Sequence, residues 1–228
     1  MSKEIIYCLP GLGLDHRLFN RLKLKHAELR YIDWLEPGKD ENLVAYAKRI
    51  AKLLPSDPIS LLGVSLGGIV SIEISKIRKI NQLFLISTIK NSDEMPAFLK
   101  WLNHFPLNNK QTAKFAMEAS IALKPFYDRS DPEGIELFKS MVKSASADFI
   151  NWGVKQISKW EQTEKLHTPY IHLHGTEDLI FPIKNIDRAI TIKGGTHYTI
   201  FNQGDKISRI IDAELLHQPS KGSKPLEG

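Results

Sequence analysis

Ser65 sits in Gly63-Val64-Ser65-Leu66-Gly67, between the apolar run PISLLGV and the segment GGIVSIEISKI, which has helical spacing. A strand that turns sharply into a helix leaves no room for side chains two residues either side of the turn, which explains the paired glycines. It also exposes one hydroxyl at the sheet edge. A serine hydroxyl is a weak nucleophile at neutral pH, so acyl chemistry needs an imidazole to take its proton and a carboxylate to hold that imidazole in the right tautomer. Both occur downstream: Asp178 in HLHGTEDLIFP and His197 in IKGGTHYTIF, each just past a run that reads as a strand. Alternatives stay open. Ser65 also suits a turn serine that caps the following helix, and Glu177 or Asp93 could serve as the acid in place of Asp178.

The remaining histidines are His16, His26, His104, His167, His172, His174 and His217. None forms an H-E-x-x-H pair, and His172 and His174 alternate on a strand without a third ligand nearby, so neither a metal nor another cofactor is expected. His174 reads as support for the Asp178 turn, and His172 as a packed histidine. His16 and Arg17 read either as substrate contacts or as a solvated pair opening a short helix.

The elements that must carry these side chains follow from periodicity. EIIYCLP, LRYIDWL, PISLLGV, QLFLIST, YIHLHG and AITIKGG read as strands. ENLVAYAKRIAKLL, GGIVSIEISKI and KISRIIDAELLH read as helices, with Leu43, Ala47, Ile50, Leu53 and Leu54 on one face of the first. Strand and helix in alternation imply an α/β fold: a mostly parallel sheet with helices on both faces. Between Asn91 and Leu166 the texture changes to aromatics (Trp101, Phe105, Phe115, Phe126, Phe138, Phe149, Trp152, Trp160) broken by Pro106, Pro125 and Pro132. This reads as a helical insertion, with helix starts at Ser130-Asp131 and Ser146. Its aromatics serve as core between insertion and body more readily than as a ligand box.

Composition agrees with a single domain. The chain has 228 residues, 42% hydrophobic and 25% charged, enough to bury a large core. Its 31 basic and 26 acidic residues leave a net charge of +5, scattered rather than striped, which disfavours nucleic acid as a partner. Lys76, Arg78 and Lys79 follow a helix end, where cations offset the dipole. The one cysteine, Cys8, lies in an apolar run and reads as a buried thiol. No signal peptide and no membrane span are recognisable, so a cytoplasmic location is expected.

Taken in order, these motifs resemble the α/β-hydrolase superfamily, and specifically its small, lidded serine esterases and thioesterases. The resemblance runs from the first strand to the last helix. It implies Ser65 as nucleophile, Asp178 as acid and His197 as base. It also aligns LPGLGLDHRLF with the family's oxyanion loop, so that the backbone amides of Leu12 and Leu66 would bind the oxyanion. Pro10-Gly11 stands where many relatives have His-Gly, and the two strands that usually precede this loop are absent, which implies a sheet of about six strands. The family pattern makes 1–90 and 167–217 the core, 91–166 a helical lid and 218–228 a loose tail. The expected substrate is a small-molecule ester or thioester with an apolar acyl group, with a non-catalytic binding protein of the same fold as the alternative.

Overall fold

Strands β1 (Glu4–Leu9), β2 (Ala27–Tyr31), β3 (Ile59–Val64), β4 (Ile80–Ile86), β5 (Tyr170–Gly175) and β6 (Ile190–Ile192) form one sheet of order β2-β1-β3-β4-β5-β6, every pair parallel. The structure is a computed structural model and describes residues 3–102 and 131–217. The strands at the centre are apolar on both faces because both faces are covered. In β1, Ile6 and Cys8 point to one side and Tyr7 and Leu9 to the other, and the same alternation divides Leu62 and Val64 of β3 from Leu61. The sheet therefore has two cores.

Helices α1 (Leu43–Ala51) and α2 (Leu66–Ile77) cover one face; α6 (Thr199–Asn202) and α7 (Gly204–His217) cover the other. Leu43, Tyr46, Ala47 and Ile50 of α1 point into the first core. Leu53 does not join them. The helix ends at Ala51, Lys52 caps it, and Leu53 turns outward at 55% exposure while Leu54 turns back in. The periodicity that placed Leu53 on the inner face thus runs past the end of the helix.

The described part of the insertion is helical: α3 (Ala97–Leu102), α4 (Pro132–Ser144) and α5 (Ala147–Lys159). Asp131 caps α4 by accepting from Gly134 N, with Pro132 at the first position, and Ser146 caps α5 by accepting from Phe149 N. Phe149 and Trp152 of α5 pack against Trp34 and Tyr46, with ring centroids 5.2 Å and 4.4 Å apart respectively. Gln156 Oε1 accepts from Leu43 N at 3.1 Å, so α5 also caps α1. Phe138 of α4 meets Tyr198 edge to face at 5.2 Å. These aromatics are core between insertion and body, whereas Trp101 is 62% exposed. The sequence readings at Phe105, Pro106, Phe115, Pro125, Phe126, Ser130 and His104, and of the tail 218–228, lie outside the described residues.

β2 and β3 lie on opposite sides of β1, so the chain reverses direction across the sheet between β1 and β3. In open parallel sheets the crevice at the carboxyl ends of such a pair is the usual ligand site. Leu9-Pro10-Gly11 and Val64-Ser65 are the two strand ends that flank it.

Candidate active site

At the end of β3 the backbone turns through Ser65 at φ 53°, ψ −118°, a left-handed conformation unfavourable for any residue with a side chain. Close backbone approach imposes it. A Cβ on Gly67 would lie 2.2 Å from Leu9 O, one on Gly63 would lie 2.5 Å from Gly67 O, and one on Gly68 would strike Thr88. Ser65 N donates to Ile86 O at 3.1 Å and Thr88 Oγ1 donates to Ser65 O at 2.7 Å, so the strained residue is tied to β4 and the segment after it. The side chain makes no capping bond to α2, which removes the helix-cap reading. Strain held in this way is typical of functional turns.

Instead, Ser65 Oγ lies 3.0 Å from His197 Nε2, and His197 Nδ1 lies 2.9 Å from Asp178 Oδ2. The carboxylate accepts from Nδ1–H, which leaves Nε2 as the bare acceptor facing the serine hydroxyl. Three residues far apart in the chain thus form one relay.

Two turns bring the acid and the imidazole together. Gly175 closes β5 and Gly195 follows β6, and a Cβ on Gly175 would sit 2.2 Å from Gly195 O, so the two turns meet backbone to backbone. Glu177 N donates to Gly195 O at 2.8 Å and Thr176 N to Ile192 O at 3.0 Å. Asp178 is buried; its Oδ1 accepts from Ile180 N at 2.8 Å and Phe181 N at 2.9 Å. Burial pushes this carboxyl up, but the neighbouring His197, by charge and hydrogen bond, together with His174 and Phe181 N–H, outweighs it and holds the group below the usual carboxylate range. Glu177 and Asp93 are exposed and are not part of the relay.

Leu66 is the first residue of α2, where backbone N–H groups have no partner within the helix. Across from it, the loop after β1 passes so close that a Cβ on Gly11 would lie 3.6 Å from Ser65 Cβ. With Pro10-Gly11 at its start, this loop takes its support from elsewhere. Trp34 Nε1 donates to Gly11 O at 3.3 Å, and the Leu12 side chain lies on α5, where a Cβ on Gly153 would be 2.3 Å from Leu12 Cδ1. Arg17 grips Asp15 in the same loop and reaches Ser140 of α4 at 2.9 Å, so it bridges to the insertion while remaining partly solvated, and His16 beside it is exposed at the start of a short 3-10 helix. Beside the loop lies an open cavity of about 250 Å³, lined by Trp34, Met141 and Phe149 together with Asp15, Asp33 and Glu36.

Sequence reasoning missed a second buried polar group behind the acid. Lys90 donates to His172 Nδ1 at 3.0 Å and to Asp187 O at 2.7 Å, and pairs with Glu94. The one available signal was the i, i+4 spacing of Lys90 and Glu94 just after a strand. His172 is thus a packed, hydrogen-bonded histidine. No cluster of three or more metal-binding side chains occurs among the described residues.

The chain has the α/β-hydrolase fold. It is similar in structure to a thermophilic esterase from Thermogutta terrifontis, at 19% identity and TM-score 0.75, over 94% of this chain and 90% of that one. It is equally similar, at TM-score 0.75, to a hydrolase from Pseudomonas aeruginosa PA01, at 16% identity over 94% of this chain and 90% of that one. An enol-lactonase from Burkholderia xenovorans LB400 also superposes with TM-score 0.75, at 13% identity over 96% of this chain and 93% of that one. No family model matches the sequence, and no curated protein matches it by sequence. Among the described residues no helix is long and apolar enough to cross a membrane.

Proposed function

We propose that the protein is a serine hydrolase that cleaves a small carboxylic ester or thioester with an apolar acyl group. The observation that carries this reading is the pair of hydrogen bonds Ser65–His197–Asp178, 3.0 Å and 2.9 Å, at the crevice end of the sheet. Ser65 Oγ attacks the carbonyl carbon as its proton passes to His197 Nε2. Asp178 stabilises the imidazolium so formed, and the same proton goes to the leaving alcohol or thiol. Water then enters by the same steps in reverse and releases the acid. The amides of Leu12 and Leu66 bind the oxyanion, each donor contributing about 3 kcal/mol to the transition state. The structural neighbours named as esterase, hydrolase and enol-lactonase agree with acyl chemistry.

The segment 91–166 acts as the lid of this site. Leu12 on Gly153 and Arg17 on Ser140 connect the oxyanion loop to α5 and α4, so these two helices support the loop.

A fluorophosphonate probe tests the reading. Stoichiometric labelling is expected, absent in Ser65→Ala, with p-nitrophenyl esters of increasing acyl length and acyl-thioesters then ranking the substrate. A folded wild-type protein that takes no label and hydrolyses none of these would instead make it a binding protein of the same fold.

A further inference from the structure

Asp178 has a second imidazole beside it. His174 is fully buried on β5; its Nε2 lies 2.7 Å from Phe181 O and 3.3 Å from Asp178 Oδ2, the oxygen that also receives His197. Both neighbours of Nε2 are acceptors, so the proton must sit on Nε2. Nδ1 points the other way, buried, and has no partner among the described residues. A second proton there would have nothing to bond. Burial also lowers the proton affinity of this ring, so it stays neutral.

We propose that His174 is a positioning residue for the triad acid: its Nε2–H, bonded to Phe181 O, fixes the Asp178–Phe181 reversal and turns the positive edge of the ring toward Asp178 Oδ2. This role rests on the hydrolase reading above and deepens it. Asp178 Oδ1 is held by Ile180 N and Phe181 N, so the carboxylate and the peptide it grips are locked from both sides, by its own oxygen and by His174. The positive edge also spreads part of the negative charge of Oδ2, which would otherwise fall wholly on His197.

The titratable groups facing His174 are Asp178 and His197 on the two turns, His172 on β5, and Glu94 after β4. His172 stands edge-on to it at 5.4 Å, accepting from Lys90 at Nδ1 and donating from Nε2 to Thr88 O at 3.1 Å. Burial, with the Lys90 ammonium adding to it, keeps the His172 ring neutral too.

The test compares His174→Leu, which removes the donor, with His174→Gln, whose Nε2 can replace it, and His174→Asn, whose shorter amide cannot reach Phe181 O. Fluorophosphonate inactivation rates are followed against pH. Losing the positive edge leaves the carboxylate charge of Asp178 facing His197 alone, which favours the imidazolium and moves the acid limb upward. The expected result is a limb about one pH unit higher in the Leu and Asn variants, with an inactivation rate about tenfold lower at neutral pH. His174→Gln should restore most of both. Nitrogen-15 NMR of wild-type imidazoles supplies a second readout that needs no variant, with His174 expected as the neutral Nε2–H form throughout the limb. A wild-type limb and rate in His174→Leu or His174→Asn, or an Nδ1–H or protonated His174, overturns the proposal. Failure of the wild type to label at all overturns the hydrolase reading instead.

Discussion

The tautomer of His197 depends on which atom faces its Nδ1, and Asp178→Asn tests that dependence with little change in shape. The carbonyl of the substituted side chain can still accept from Ile180 N and Phe181 N, as Oδ1 does at 2.8 Å and 2.9 Å, so the turn should keep its path. Its amide group then faces His197 Nδ1, which must give up its proton and become an acceptor. The proton moves to Nε2 and points at Ser65 Oγ, where a base is needed. Inactivation by the phosphonate probe should fall about 10⁴-fold, the usual cost of a wrong tautomer in such relays, while circular dichroism stays that of the wild type. Should the Asn variant keep its rate, Asp178 does not orient the imidazole and another acid must be sought.

At the scale of elements, two glycines serve different ends. Gly67 packs against Leu9 O, backbone against backbone, and an added methyl has nowhere to go because β1 and α2 cannot separate without parting β1 from β3. Gly67→Ala should cost about 3 kcal/mol of stability by urea denaturation, toward the upper end for overpacking in a tight site. The nearest atoms to Gly153 are those of the Leu12 side chain, whose loop can shift without parting any pair of strands. Gly153→Ala should therefore unfold within about 1 kcal/mol of the wild type. Its acylation rate should still fall, by about tenfold, because the Leu12 amide moves with its side chain. Equal effects of the two substitutions on stability and rate would disprove this division. The same contrast explains what the sequence could reveal. Spacing that is local to one turn, as at Gly63, Ser65 and Gly67, is visible in the chain, and so is the order Ser65, Asp178, His197. Alternation of strand and helix likewise foretells the six-strand sheet. Contacts between distant segments leave no local pattern: Leu12 on Gly153, Arg17 on Ser140, and Lys90 with His172 all arise from the fold itself. Leu53 departs from expectation for the opposite reason, since helical spacing persists in sequence after the helix has stopped.

For the whole molecule, buried histidines and paired carboxylates set the pH range of folding. His172 and His174 are held neutral, their proton affinities lowered first by burial, with Lys90 adding to the effect on His172. In the unfolded chain each takes a proton below about pH 6.5. The unfolded state thus binds more protons as the pH drops, so their contribution is complete above about 6.5 and is lost as acid is added. Asp178 and Asp15 act later. Both are pushed up by burial but held below the usual carboxylate range, Asp178 by His197 and Asp15 by Arg17. Their contribution is present above about pH 4 and disappears below it. Urea midpoints should therefore be level from pH 8 to 7 and decline from about 6.5, by about 1.4 kcal/mol per pH unit for each buried histidine. A steeper fall should follow near pH 4. Replacing His172 by Gln removes one titrating ring, so that variant, whatever its starting stability, should lose stability half as steeply between pH 6.5 and 5. A midpoint that stays constant down to pH 5 in the wild type would mean that these rings take up protons in place. The buried group of Lys90, His172 and His174 would then have to open to water without unfolding.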